Sequence, residues 1–230
     1  MGIHSRILLH WTGNGKDDIE SKPEKDRPEL YLERLRDYYE NGLFAKMANE
    51  DAIRKMKVVR LIRLCFTEIR LSQARTHAGR YGRLAIGFTR DFIMSKGGRP
   101  VVYIPFEAEA DGRLLEDSIR HVYDNSQGAV RKSAMWIMAY VKRMSNGKTE
   151  DYYEEMEWRL VYDESPVNRH FSKDDSAEDV RRLKFQASDV KVIVFPDEHT
   201  KRMALGDETM RKHFSGYMPL MTTLDDCSNF

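Results

Sequence analysis

Between residues 58 and 105 the hydrophobic period of the chain changes every few residues, so its apolar side chains must be buried on a sheet with helices laid against it. The segment VVRLIRLCFTEI (58–69) is rich in β-branched and apolar side chains and reads as a strand. LSQARTHAGRYG (71–82) reads as one helix ended by Gly82, and LAIGF (84–88) as the next strand. TRDFIMSKGG (89–98) reads as a short helix with Thr89 as N-cap and Gly97 or Gly98 past its end, and VVYIP (101–105) as strand again. Upstream, the run from Arg6 to Trp11 is a strand leading into the Thr12-Gly13-Asn14-Gly15 loop, and Tyr31, Leu35, Tyr38 and Tyr39 recur at helical spacing until Asn41-Gly42.

Downstream, the pattern from Glu109 to Met144 is helical, and SAMWIMAYVKRM (133–144) is expected to be buried. EWRLVYD (157–163) alternates as a strand, 164–180 reads as a charged loop, and DVKVIVFP (189–196) is the most apolar strand of the chain. Asp197 caps a helix that reaches Leu205-Gly206, and the tail from His213 has no period. The expected fold is a single α+β domain over 1–230 with a mixed or antiparallel sheet and flanking helices.

Charge narrows the function. The 38 basic and 37 acidic side chains leave a net charge of +1, so no global field holds a polyanion, and a nucleic-acid contact would need a local patch. No run of about 18 apolar residues occurs, and the start of the chain lacks a signal-peptide cleavage site. A membrane is therefore not an expected partner. Cys65 and Cys227 are far apart and form neither a zinc motif nor a disulfide framework, which fits a reducing cytoplasm. The seven histidines show no metal-ligand spacing, and phosphate-loop, dinucleotide-fold and hydrolase-elbow motifs do not occur.

Three strand-borne pieces carry the chemistry: Leu8-Leu9-His10-Trp11-Thr12-Gly13, Cys65-Phe66-Thr67-Glu68-Ile69 and Glu155-Met156-Glu157-Trp158-Arg159-Leu160-Val161-Tyr162-Asp163. In that order they resemble the signatures of the ADP-ribosyltransferase superfamily, in its histidine-tyrosine-glutamate class, with His10, Phe66 and Glu157 at the matching places. The resemblance implies a split sheet, NAD as substrate, and transfer of ADP-ribose to a protein or nucleic-acid acceptor. The chain departs from that pattern at Trp11, where the class has glycine, and at Cys65-Phe66, where it has tyrosine. Over residues 8 to 162 the chain is also similar to the AbiGi-like abortive phage resistance proteins, through His10-Trp11-Thr12, Cys65 to Ile69, His77 with Tyr81-Gly82, Ile86-Gly87-Phe88 and Glu157-Trp158-Arg159. That likeness implies a phage-defence or toxin–antitoxin setting, and such proteins have been labelled antitoxins.

Breaking the nicotinamide–ribose bond develops positive charge on the sugar, and a carboxylate beside it lowers that barrier. Glu157 is the expected catalytic group, with Glu155 two residues earlier on the same strand face activating the acceptor. His10 is expected to bind a ribose hydroxyl through a ring that both donates and accepts. Thr12 and Gly13 would meet the nicotinamide amide, and Trp11 is a further candidate for stacking on the nicotinamide ring. Phe66, Tyr81 or His77 would supply the flat platform that the cationic ring needs, with Thr67 and Ser72 as polar contacts. The bland readings are an acidic edge for Glu155 and Glu157, a core position for Phe66, and a solvated face for the arginines between Arg60 and Arg90. Two functions follow: an ADP-ribosyltransferase-like enzyme, or a non-catalytic antitoxin or sensor that binds a toxin or a phage component. A third, an RNA-acting relative that transfers phosphate to NAD, would need a basic pocket.

Overall fold

The computed structural model describes residues 6–14, 18–50, 59–104, 114–144, 152–162, 170–174 and 177–229. The first strand, β1 (Ile7–Thr12), alternates as its sequence requires: Leu8 enters one core, Leu9 and Trp11 another. α1 (Arg27–Asn41) buries Tyr31, Leu32, Leu35, Tyr38 and Tyr39 and stops at Gly42. β2 (Leu43–Glu50), β3 (Val59–Thr67), α2 (Ala74–Tyr81), β4 (Leu84–Thr89) and α3 (Arg90–Ser95) follow. The Thr89 hydroxyl accepts the Phe92 N–H at 3.1 Å, as expected of an N-cap.

Two short strands, β5 (Arg99–Pro100) and β6 (Val102–Ile104), lead to α4 (Leu114–Asp124), α5 (Gly128–Ala139) and β7 (Val141–Arg143). β8 (Glu157–Val161), β9 (Phe171–Asp174), β10 (Ala177–Leu183), β11 (Val190–Phe195), α6 (Glu198–Gly206), α7 (Glu208–Phe214) and β12 (Leu220–Thr223) complete the described chain. Asp197 caps α6 by accepting the Thr200 N–H at 2.7 Å.

The main sheet runs β12-β11-β4-β1-β3-β2-β10-β9, antiparallel except for the parallel β11–β12 pair, with β8 on β3 and β5 on β8. This is the expected mixed, mostly antiparallel sheet with flanking helices. β3 divides it. Arg63 pairs with both Lys46 of β2 and Val161 of β8, and Thr67 pairs with both Leu9 of β1 and Glu157 of β8. A strand has two edges, so β1 and β2 must share the edge opposite β8, one at each end of it. α1, α3, α6 and α7 cover the face that holds Leu8, Leu64, Phe66 and Leu160, while α2 covers the face that holds Leu9, Trp11 and Ala85. β6 and β7 form a separate parallel pair and pack with α4 and α5 around Ile104, Ile119, Met138 and Val141.

Three expectations are corrected. The segment 164–180 is not a loop throughout: β9 and most of β10 lie there, while 163–169 and 175–176 fall outside the described residues. The tail holds β12, which takes its partner from β11 rather than from a local period. SAMWIMAYVKRM is not buried on all sides. Ala134, Met138 and Ala139 are, but Ile137 stays 55% exposed, because α5 has a core on one side only. The start of the expected helical stretch, 109–113, is outside the described residues. Among the described residues, no helix is long and apolar enough to cross a membrane.

Candidate functional site

The acidic pair at the start of β8 closes on two cations. Arg159 grips Glu157 in a fork, Nε to Oε1 at 2.7 Å and Nη2 to Oε2 at 3.2 Å, while its Nη1 donates to the Ala139 carbonyl at 2.7 Å. Lys142 Nζ donates to Glu157 Oε2 at 2.8 Å and to Glu155 Oε2 at 2.6 Å, and the Tyr81 hydroxyl donates to Glu155. The Glu157 amide donates to the Tyr103 hydroxyl at 2.9 Å. Glu155, Glu157 and Arg159 are 2%, 5% and 1% exposed, so the two carboxylates meet their cations away from bulk solvent.

Burial alone would raise the Glu157 pKa, but Arg159 and Lys142 outweigh it and hold the carboxyl well below the usual carboxylate range. Burial would lower Lys142, and the two glutamates reverse that. Burial, and then the Glu155 carboxylate, push the Tyr81 phenol up.

The expectation that the extended conformation runs through Glu155 is corrected. Tyr153–Glu155 is a 3-10 turn, and Met156 has φ 42°, the left-handed region. The turn delivers Glu155 to the same lysine by another route.

On the opposite face, His10 Nδ1 lies 2.9 Å from the Cys65 carbonyl. A carbonyl only accepts, so Nδ1 carries the proton and bridges the gap left on the β3 edge between β1 and β2. The ring sits between Tyr38 and Phe66, at centroid distances of 5.9 and 5.8 Å. Burial, reinforced by Arg34 and Lys46 and partly offset by the Cys65 bond, lowers its pKa to about 4. The Thr12 hydroxyl accepts from Arg34 Nη1 at 2.7 Å and from Tyr38 at 2.9 Å, and a Cβ on Gly13 would meet the Tyr31 hydroxyl at 2.6 Å. The tip of β1 is thus packed by α1.

Cross-strand pairing separates the expected site into two groups. Leu9, Thr67 and Glu157 stand side by side on one face, so His10 and Phe66, one residue out of phase, stand on the other. With Glu157 are Trp11, whose Nε1 donates to Thr67 Oγ1 at 3.0 Å, and, through Glu155, Tyr81. His77 stacks on Tyr81 at 6.2 Å with its Nδ1 buried and without a hydrogen-bond partner, and burial, then Arg80, lowers its pKa to about 4. With His10 are Thr12 and Phe66. Ser72 is exposed on the turn before α2. His10, Phe66 and Glu157 therefore do not line one cleft.

The residues that sequence reasoning missed are Lys142, Arg159 and Tyr103. Arg159 had a signal, since it lies two residues from Glu157 on a strand and so on its face. Lys142 and Tyr103 come from the β6–β7 pair and had none. A carboxylate whose oxygens are both held by fixed cations adds no net negative charge beside a developing oxocarbenium ion.

Beside Glu157 a pocket of about 290 Å3 is lined by Glu68, Arg90, Tyr103, Met156 and Trp158. The Trp158 indole donates to Glu68 at 2.9 Å, Arg90 pairs with the same carboxylate, and its guanidinium lies 5.8 Å from the Trp158 ring centroid. Among the described residues no cluster of histidine, cysteine or acidic side chains is placed to hold a metal ion.

No curated protein matches the chain. Among solved structures, DarT from Thermus sp. 2.9 in complex with NAD+ is similar at a TM-score of 0.41 and 11% identity over 96% of each chain. The family described as "Putative abortive phage resistance protein AbiGi, antitoxin" matches residues 46–196, a span that holds β3, the β6–β7 pair and the whole of β8. By that match the chain belongs to the AbiGi family of abortive phage resistance proteins.

Proposed function

We propose that this chain is a non-catalytic antitoxin of an abortive-infection system, acting in the cytoplasm by binding a cognate toxin. The observation that carries the reading is the state of Glu157: both carboxylate oxygens are held by Arg159 and Lys142 in a site 5% exposed, with His10 across the sheet. In this arrangement the acidic pair ties β8 to β7 and α5 and stabilises no sugar cation. The antitoxin description of the family supports the same reading.

The test is to incubate the purified protein with NAD labelled in the adenine ring and follow nicotinamide release and label transfer, with Glu157→Gln alongside. The expected result is no turnover above the buffer blank for either protein. Co-expression with the product of the adjacent gene is expected to relieve that product's toxicity. Nicotinamide release by the wild type that Glu157→Gln abolishes would overturn the proposal.

One observation favours a second reading, turnover of NAD at Glu157. The pocket of about 290 Å3 abuts that residue and offers the Trp158 and Tyr103 rings beside Arg90, a setting for a flat ring and an anionic linker. On that reading NAD is the substrate, Tyr81 and Glu155 approach from the Glu157 side, and His10, Thr12 and Phe66 serve the sheet. The same assay decides between the two.

A further inference from the structure

Helix α5 breaks the rule that the outer side of a surface helix is polar. Its inner side is accounted for by Ala134, Met138 and Ala139, which are buried. The outer side carries Ala129, Val130, Ser133, Trp136 and Ile137, positions three, four and seven residues apart that share one face. Val130 and Ile137 are each 55% exposed, Ala129 and Ser133 are exposed, and Trp136 is half-buried. Lys132 borders that face, while Arg131, a further 100° round the helix, lies toward α4 with its guanidinium 4.4 Å from the Tyr123 ring centroid. No carboxylate occurs in the sequence between Asp124 and Glu150.

We propose that this outer face of α5 is the docking surface for an acidic, amphipathic helix of the partner protein; the inference rests on the antitoxin reading and gives that partner its chemistry. Small residues at 129 and 133 leave a groove between the ridges of Val130, Trp136 and Ile137, which is the relief that an α-helix fills. The charge selects the occupant. A second copy of the chain would bring a face with the same lysine and no carboxylate of its own, whereas an acidic helix pairs with Lys132. The face belongs to the α4–α5–β6–β7 unit, whose Ala139 and Lys142 hold Arg159, Glu155 and Glu157, so a partner seated there bears on the same unit that closes the acidic pair.

The test uses the full chain co-expressed with the tagged product of the adjacent gene, and compares wild type, Ile137→Glu, Lys132→Glu and the control Met218→Glu, which changes a residue 61% exposed elsewhere. All three sites are on the surface, so far-UV circular dichroism and melting are expected to be unchanged. Wild type and Met218→Glu are expected to retain the partner, Ile137→Glu to lose it by at least tenfold, and Lys132→Glu to weaken it in a salt-sensitive way. Retention by Ile137→Glu at the wild-type level overturns the docking surface and leaves the antitoxin reading standing. Equal capture by Lys132→Glu overturns the acidic partner. No capture and no relief of toxicity by the wild type removes both. A dimer of the wild type that Ile137→Glu dissolves, or binding to phosphatidylglycerol vesicles in place of the protein, assigns the face to another occupant and also overturns the proposal.

Discussion

Replacing Arg159 by Met keeps the volume of the side chain and removes its charge. In the wild type Arg159 and Lys142 both pair with Glu157; in Arg159→Met the fork is lost and Lys142 remains on both Glu155 and Glu157. Breaking a buried pair by removing one partner costs about 3–5 kcal/mol, and the lower figure applies here because Lys142 still holds Glu157 Oε2. For a chain of this size, about 3 kcal/mol lowers Tm by roughly 6–12 °C. Urea denaturation at pH 7, followed by tryptophan fluorescence, measures it. The companion variant Glu157→Leu/Arg159→Met removes both charges and is expected to recover most of the loss, to within about 1 kcal/mol of wild type.

The pH limb gives an independent check with a definite sign. The folded pKa of Glu157 is depressed, so its contribution is complete above the unfolded value of about 4.3 and drains away as pH falls toward the folded one. Glu157→Gln is expected to flatten the stability profile below that pH. A loss under about 1 kcal/mol for Arg159→Met, with an unchanged acid limb for Glu157→Gln, would refute the reasoning, since it would mean that water already reaches the carboxylate.

Three further outcomes are expected. His10 and His77 are held neutral by burial with folded pKa values of about 4, so between pH 6.5 and 4 the unfolded chain binds up to two more protons and stability falls as pH drops; His10→Gln and His77→Gln should each remove part of that slope in a melting series. Gly82→Ala is expected to cost about 3 kcal/mol or more, measured by urea midpoint, because φ is 107° and the added Cβ would stand 2.1 Å from the Thr12 carbonyl oxygen. Burial pushes the Cys65 thiol up to about 12, so iodoacetamide at pH 8 should label it only after denaturation.

How much of this is legible in the sequence depends on where each element finds its partner. β1, α1, α2, β4, α3, β8, β11 and α6 carry their own period and caps, and their sequences predict them. β9 and β10 do not: their sequence is largely charged, and they exist because β10 finds β2 and its Arg182 is neutralised by Asp37 and Asp174. Likewise β2, with Leu43 and Ala45 buried on one side, is a strand because β3 and β10 flank it. A sequence shows which side chains alternate along one strand, but not which phase the neighbour adopts. That is why the three motifs were found in order and still part company in space. Leu9, not His10, is the residue opposite Thr67, and that register turns His10 away from Glu157.

The same register explains why the acidic pair is dry. Facing α2 and α5 rather than α1, Glu157 emerges where β7 supplies Lys142 and where the Ala139 carbonyl fixes the Arg159 fork. Met156, in the left-handed region between the two glutamates, bends the chain so that Glu155 reaches the same ammonium, a conformation that costs a non-glycine residue about 1–2 kcal/mol. Such strain persists where the surroundings over-determine it, and here the two bonds to Lys142 and the one from Tyr81 do so. Met156→Gly should therefore relieve strain without loosening the cluster, raising the urea midpoint and leaving the acid limb in place. If it instead exposes Glu155 and flattens that limb, the bend is what holds the cluster closed.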